Sequence, residues 1–375
     1  MRTDGGSVAS SDLAELMTNV VLNGKFLSAS PTGVHRVAHE LANALAKLAD
    51  ERHMSGPEVW IPWDGAQQAT EMALPVRCVG PLRSIAWEQL TLPLRAGSRR
   101  LILNLCNIAP MLARNAVTMI HDAQVHISPA SYGRGFRLWY KFVQPIIARR
   151  HRHILTVSEY SRGQLVAAGL ATPERISVVH NGVDHILATS ADPSIVTRLG
   201  LATHGYVVAL ASTQAHKNIG LLLYSFTHPA LMNLKLVLIG SANAADFRVM
   251  GTPPSPNVIF AGRVSDAELR GLYEQALCLA FPSTTEGFGL PPMEAMLVGC
   301  PAIVAPCGAL PEICGDAAIY ADAGSPSEWV DAIINIANDP ALRAKRADIG
   351  IRRARLFTWR KAAERLCDIL AYNAK

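Results

Sequence analysis

The sequence contains no apolar run of eighteen residues, so it offers no segment long enough to cross a bilayer as a helix. It has no Cys-x-x-Cys pair, and its seven cysteines (Cys78, Cys106, Cys278, Cys300, Cys307, Cys314 and Cys367) are odd in number. Three of them recur every seven residues, but Pro301, Pro306, Gly308 and Pro311 interrupt that stretch and exclude a heptad helix. The thiols therefore read as small buried hydrophobes in a reducing compartment, not as zinc ligands or disulfides. Excess charge is also scarce. A formal net charge of +5 on 375 residues falls far short of the balance of a dedicated nucleic-acid binder. It suits an anionic ligand, an anionic membrane surface, or neither. There is no low-complexity tract or short repeat, and the 50% hydrophobic content excludes global disorder. Residues 1–18 lack the apolar core and cleavage pattern of a secretory signal and read as a loose leader.

What is present is regular alternation. "NVVLNGKFL" (19–27) reads as a buried strand, and "VHRVAHELANALAKLAD" after it as a helix. "EVWIPW", "RLILNLC" and "AVTMIHD" are short apolar runs that end in polar or turn residues, and "RHILTVSEYSRGQLVAAG" reads as strand, serine cap and helix. The pattern breaks at 183–201 into a polar, proline-containing linker and then restarts with "YVVALAST", "LKLVLIGS", "NVIFAG", "LCLAFPS" and "PAIVAP" as strands. The fold class is α/β: two doubly wound, Rossmann-like domains with a cleft between them, where open parallel sheets take ligands beyond the carboxyl ends of their strands. The expected divisions are 19–190 and 191–355, followed by a C-terminal segment, 356–375. Ser265 and Glu268 in "SDAEL" form a capping box at a helix start.

The stretch "STTEGFGLPPMEAM" (283–296) places Glu286 and Glu294 eight positions apart, with Gly287, Gly289, Pro291 and Pro292 between them. Those residues forbid one continuous helix. The expected shape is a strand, a loop holding Glu286, and a helix that begins near Pro291 and carries Glu294 in its first turns. Backbone amides from Gly287 to Leu290 then sit at a helix N-terminus, which attracts phosphate. Carboxylates on either side can accept hydrogen bonds from the vicinal hydroxyls of a sugar or ribose.

"EGFGLPPME", with "AFPS" before it, resembles the E-x7-E motif of the retaining GT-B glycosyltransferases, in particular glycosyltransferase family 4. "IHD" (120–122), "TVSEYS" (156–161), "VVHNGVD" (178–184), "HKN" (216–218), "AGRVSDAEL" (261–269), "ALPEICGDAA" (309–318) and "FTWRKAAERL" (357–366) agree in order and spacing, so the resemblance spans roughly residues 19 to 370. It implies a GT-B architecture whose last helix crosses back to the first domain. It further implies a nucleotide diphosphate sugar as donor, with no cofactor and no metal ion, and the sequence has no Asp-x-Asp. Residue by residue, Glu294 would hold the ribose hydroxyls and Glu286 the donor sugar. Lys217 and the amides of Gly287, Phe288, Gly289 and Leu290 would hold the diphosphate. His121 would face the sugar, Gly33 would let the backbone approach the diphosphate, and Arg36 would add charge. Many relatives carry an arginine five or six residues before the loop lysine. Here Ala211 and Ser212 stand there, leaving Ser212 as a donor contact and Arg263 as a replacement charge.

The implied reaction moves a hexose to a saccharide acceptor on a polyprenyl diphosphate, in bacterial exopolysaccharide or O-antigen assembly. "TGVHR" and "HKN" resemble bacterial polysaccharide mannosyltransferases, which makes GDP-mannose the first choice of donor. Rhamnosyl, glucosyl and galactosyl transfer from dTDP- or UDP-sugars are alternatives, as are a nucleotide-sugar epimerase and a catalytically silent assembly subunit. A nicotinamide-dependent oxidoreductase lacks its G-x-G-x-x-G after the first strand. Residues 132–153 mix Tyr132, Phe136, Trp139, Tyr140 and Phe142 with Arg134, Arg137, Lys141, Arg149, Arg150 and Arg152. Such a segment suits either peripheral attachment to the inner face of the cytoplasmic membrane, with Arg149 and Arg150 on acceptor or lipid, or an ordinary amphipathic helix. The expected location is cytoplasmic.

Overall fold

The structure is a computed structural model that describes residues 10–28, 32–65, 69, 72–127 and 133–374. Tyr132 and the first half of the leader lie outside the described residues. The chain divides into two compact units. Met1–His126, Arg134–Gly182 and Thr358–Lys375 form the first, and Ile127–Gly133 with Val183–Phe357 form the second.

The first unit is built on seven parallel strands: β1 (Val20–Asn23), β2 (Glu58–Ile61), β3 (Val76–Cys78), β4 (Leu101–Asn104), β5 (Ala116–Met119), β6 (His153–Thr156) and β7 (Ile176–Val178). Their order is β3-β2-β1-β4-β5-β6-β7. Every residue of β1, β4, β5 and β6 is buried, as a parallel sheet covered on both faces requires. The first strand is shorter than "NVVLNGKFL". It stops at Asn23, whose side-chain oxygen accepts from the Lys25 amide at 3.2 Å and turns the chain into a 3-10 helix, Gly24–Ser28. Helix Gly33–Glu51 is N-capped by Thr32 and buries Val37, Leu41, Leu45 and Leu48 on one stripe. It packs against the final helix, Trp359–Ala374. Residues 10–18 are not a loose leader. They form helix Ser10–Thr18, whose Leu13 and Met17 are buried one turn apart and which packs on the final helix.

The second unit has six parallel strands: β8 (Tyr206–Leu210), β9 (Lys235–Ile239), β10 (Val258–Gly262), β11 (Cys278–Phe281), β12 (Ala302–Val304) and β13 (Ile319–Tyr320). Their order is β10-β9-β8-β11-β12-β13. Phe226, Phe247, Trp329, Ile333 and Ile336 fill its core with the inner strands. The capping box of Ser265 and Glu268 is present at the start of helix Asp266–Gln275. The stretch 183–201 is not a linker. Val183, His185, Ile186, Ile195 and Val196 are buried, and the Asp192 amide donates to Ala267 O at 2.9 Å. These packed side chains make 183–201 part of the second unit, so the chain changes unit after Gly182.

Candidate functional site

Each sheet reverses its strand order once, and ligands of open α/β sheets lie beyond the carboxyl ends of the strands at that reversal. In the second unit the reversal falls between β8 and β11. The loop after β8 carries Ala211, Ser212, His216 and Lys217, and the loop after β11 runs from Pro282 to Gly289. The Thr284 amide donates to His216 O at 2.8 Å and ties the two loops together.

Lys217 and Glu286 meet in this place, with Nζ 2.6 Å from Oε1. The ammonium also stands 5.4 Å from the centre of the Phe281 ring. Its position is set by the residue that follows. Asn218 takes the left-handed conformation (φ 54°), which asparagine tolerates, and its side-chain amide donates to Pro282 O and Ala323 O. Glu286 is fixed from the other side by the Ala309 amide, which donates to its carbonyl at 2.9 Å. That approach needs Gly308, with φ +64°, where a Cβ would lie 2.4 Å from the Glu286 nitrogen. Burial, then the Lys217 charge, holds the His216 imidazole below the ordinary histidine pKa.

Gly289, with φ +99°, caps helix Leu290–Leu297. Pro291 and Pro292 have no N–H, so the Gly289 and Leu290 amides are what this helix start offers at its tip. Phe288 anchors the loop, its ring edge-on to Phe357 at 5.7 Å, and Gly287 is buried beside it. Glu294 lies one turn into the helix and is buried. Its Oε1 is 3.0 Å from Nε2 of His185, which is also buried. Sequence reading missed His185 because it fell in the supposed linker; its place directly after Asn181-Gly182-Val183-Asp184 was the available signal.

The other expected residues are more dispersed. Ser212 accepts from the Gln214 amide at 3.3 Å and shapes its own loop, and the Ala211 amide donates to Ile239 O. Arg263 is exposed after β10, the edge strand, which is two strands or about 10 Å across the sheet from β8. His121, Gly33, Arg36, Arg149 and Arg150 belong to the first unit. His121 follows β5 and is buried; its Nε2 lies 2.8 Å from Leu105 O, and its amide donates to Asn107 Oδ1. Burial lowers its pKa to about 4, so the ring is neutral at pH 7 with Nε2 protonated and Nδ1 as the acceptor. Gly33 begins helix Gly33–Glu51 and is exposed; beyond its chain neighbours and its own helix, a Cβ there would meet nothing within 4 Å among the described residues. Arg36, half-buried, follows on the same helix. Arg149 and Arg150 are exposed at the end of helix Arg134–Arg150. Among the described residues, no three His, Cys, Asp or Glu side chains cluster closely enough to hold a metal ion.

Both halves of the chain match known protein families. The model of the "Glycosyl transferases group 1" family matches residues 200–353, and that of "Glycosyltransferase Family 4" matches residues 31–186. The chain is 27% identical over 268 residues to the O-antigen chain mannosyltransferase RfbU of Salmonella typhimurium, covering 68% of this chain and 69% of that one. It is 27% identical over 261 residues to O-antigen chain mannosyltransferase B of Escherichia coli, covering 67% of this chain and 68% of the relative. Its fold is similar to that of Anabaena HepE, crystallised with UDP and glucose, at a TM-score of 0.73 and 20% identity over 95% of this chain and 99% of that one. The two matched models, the two parallel Rossmann-like sheets and the shared architecture agree: this chain is a glycosyltransferase with a "Glycosyltransferase Family 4" domain followed by a "Glycosyl transferases group 1" domain, and it has the GT-B fold.

Proposed function

We propose that this glycosyltransferase moves mannose from GDP-mannose to a saccharide acceptor on a polyprenyl diphosphate, with retention of anomeric configuration and without a metal ion. The observation that carries the reading is the Lys217–Glu286 pair at the reversal point of the second sheet. A cation and helix-start amides there supply what a departing diphosphate needs: preorganised positive charge that costs no reorganisation as negative charge develops. Lys217 and the Gly289 and Leu290 amides take the diphosphate, Glu286 the sugar hydroxyls, and Glu294 the ribose. The acceptor hydroxyl attacks on the face the diphosphate leaves, the C–O bond to the acceptor forms as the bond to the diphosphate breaks, and a diphosphate oxygen takes the proton. The mannosyl assignment and a saccharide-chain acceptor are supported by the two O-antigen chain mannosyltransferases among the relatives. Association with an anionic membrane surface is supported by the exposed Phe136, Leu138 and Phe142 beside Lys141, Arg149 and Arg150.

A thermal-shift screen with GDP-, UDP-, dTDP- and ADP-sugars tests this reading, since a ligand of the native state raises the melting temperature. The expected result is the largest shift with GDP-mannose. A shift confined to another base reassigns the donor, and a shift with NAD alone overturns the reading.

A further inference from the structure

The first sheet has its own reversal point, between β1 and β4, and charged groups occupy it. Asn23 ends β1 and Asn104 ends the neighbouring β4. Above them stands Glu88, presented by a π-helical turn, Trp87–Thr91. Such turns are frequent where a side chain is aimed at a site. Trp87 pins the turn, its indole donating to Val79 O at 2.7 Å.

The hydrogen-bond directions can be followed from end to end. His151 is held neutral by burial, its pKa lowered to about 4, and its Nε2 donates to Pro110 O at 3.0 Å. Its Nδ1 therefore accepts from the Thr118 hydroxyl at 2.7 Å, and Thr118 Oγ1 accepts from Asn104 Nδ2 at 3.1 Å. Asn104 Oδ1 accepts from Asn23 Nδ2 at 2.9 Å, and the same amide donates to Glu88 Oε1 at 3.0 Å. Glu88 Oε2 takes the Lys25 ammonium at 2.7 Å. The Glu88 side chain is 3% exposed, whereas Lys25 keeps 26%. One Lys25 proton goes to Glu88, and the ammonium has no second partner among the described residues.

A buried ion pair is a poor way to gain stability, because apolar side chains of the same volume do as well or better. This one lies where such sheets take ligands, with its exposed member outermost. Ammonium donors stand beside carboxylate acceptors, and the pair is neutral overall. The partly exposed ammonium can donate to a hydroxyl oxygen of a neutral saccharide, and the buried carboxylate keeps the pair neutral. We propose that Lys25 takes a hydroxyl oxygen of the saccharide acceptor in the first unit, and that Glu88 and Asn23 are positioning residues that hold its ammonium there. This proposal rests on the glycosyl-transfer reading above and adds an acceptor subsite to it.

The test uses the full chain and methyl α-hexosides of mannose, glucose and galactose. Transfer kinetics and saturation-transfer NMR are measured on the wild type, Lys25→Met, Glu88→Gln and the double variant. Lys25→Met alone strands a buried carboxylate and lowers the melting temperature. The double variant removes both charges at similar volume and keeps the comparison valid if the single one fails to fold. The double variant is expected to raise the acceptor KM by about tenfold or more, the scale of a lost charged hydrogen bond. It is expected to change kcat less, to lose the sugar's saturation-transfer signal and to keep the donor thermal shift. Glu88→Gln shifts KM the same way but less. A folded double variant with wild-type acceptor KM and sugar signal overturns the proposal, as does a wild type that binds none of the three glycosides. A wild type that transfers to none of them, yet shows a sugar signal that the double variant loses, supports the subsite and places the failure on the transfer reading.

Discussion

Lys217 Nζ and Glu286 Oε1 stand 2.6 Å apart, which makes the loop cation and the first glutamate of "EGFGLPPME" one ion pair. If they act as a unit, their effects do not add. Glu286→Ala is expected to lower kcat by about 10²–10³-fold, the scale of a lost transition-state contact, while GDP still raises the melting temperature. Lys217→Ala is expected to weaken GDP binding as well. The double variant should be no slower than the slower single one. Unimpaired transfer by Glu286→Ala, or full additivity, removes the pair from the mechanism.

His185 and Glu294 form a second pair, buried on both sides. The imidazole fixes one carboxylate oxygen, which leaves the other to face the ribose hydroxyls in the proposed site. His185→Phe keeps a ring but loses that bond, and its expected effect is a donor KM raised by about tenfold with little change in kcat. Isothermal titration with GDP separates this from a folding defect. A folded His185→Phe protein that binds GDP like the wild type sinks the role.

The inner strands of both units were legible because parallel strands covered on both faces are short, continuous apolar runs, and "YVVAL", "KLVLI" and "CLAF" stand between clear breakers, whereas β3 and β7, of three residues each, were not. The helix carrying Glu294 was legible from Pro291 and Pro292, which suit a first turn and nothing later. Less visible were features set by partners distant in the chain. Helix Ser10–Thr18 is too short to announce itself and is stabilised by the final helix, more than 340 residues on. The supposed linker reads as polar, yet its few apolar side chains find a core in the second unit. β13 has only two residues and forms because β12 lies beside it. The pairing of His185 with Glu294 spans 109 positions, and no local pattern encodes it.

His121, His151 and His153, all in the first unit, have pKa values lowered from 6.5 to about 4, chiefly by burial. Between pH 6.5 and 4 the unfolded chain therefore binds protons that the folded one refuses. Stability rises with pH across that window and falls on acidification. Each histidine contributes a slope of at most about 1.4 kcal/mol per pH unit. Urea midpoints should drop between pH 7.5 and pH 5.5, with the loss reduced in His153→Gln. A midpoint that is flat or higher at pH 5.5 contradicts the assignment.

Helix Arg134–Arg150 turns Val143, Gln144, Ile147 and Ala148 inward and leaves Phe136, Leu138 and Phe142 exposed. An amphipathic helix that only packed on its sheet would present a polar outer face. Here Leu138 and Phe142 share that face with Lys141 and Arg149, and Phe136 is exposed near the helix start. The proposed surface is an anionic bilayer, with the rings in the headgroup region and the basic side chains on the phosphates. Each basic residue near such a surface contributes about 1 kcal/mol, so Arg149→Glu with Arg150→Glu should weaken liposome binding by at least about 30-fold. Salt should weaken the wild type in the same direction, because the Debye length shrinks from about 30 Å at 0.01 M to about 8 Å at 0.15 M. Phe142→Ser should weaken binding at both salt concentrations, since apolar burial is not screened. Co-sedimentation with anionic and neutral vesicles measures all three effects. Equal binding to both vesicle types, or no binding at low salt, leaves this helix as ordinary surface.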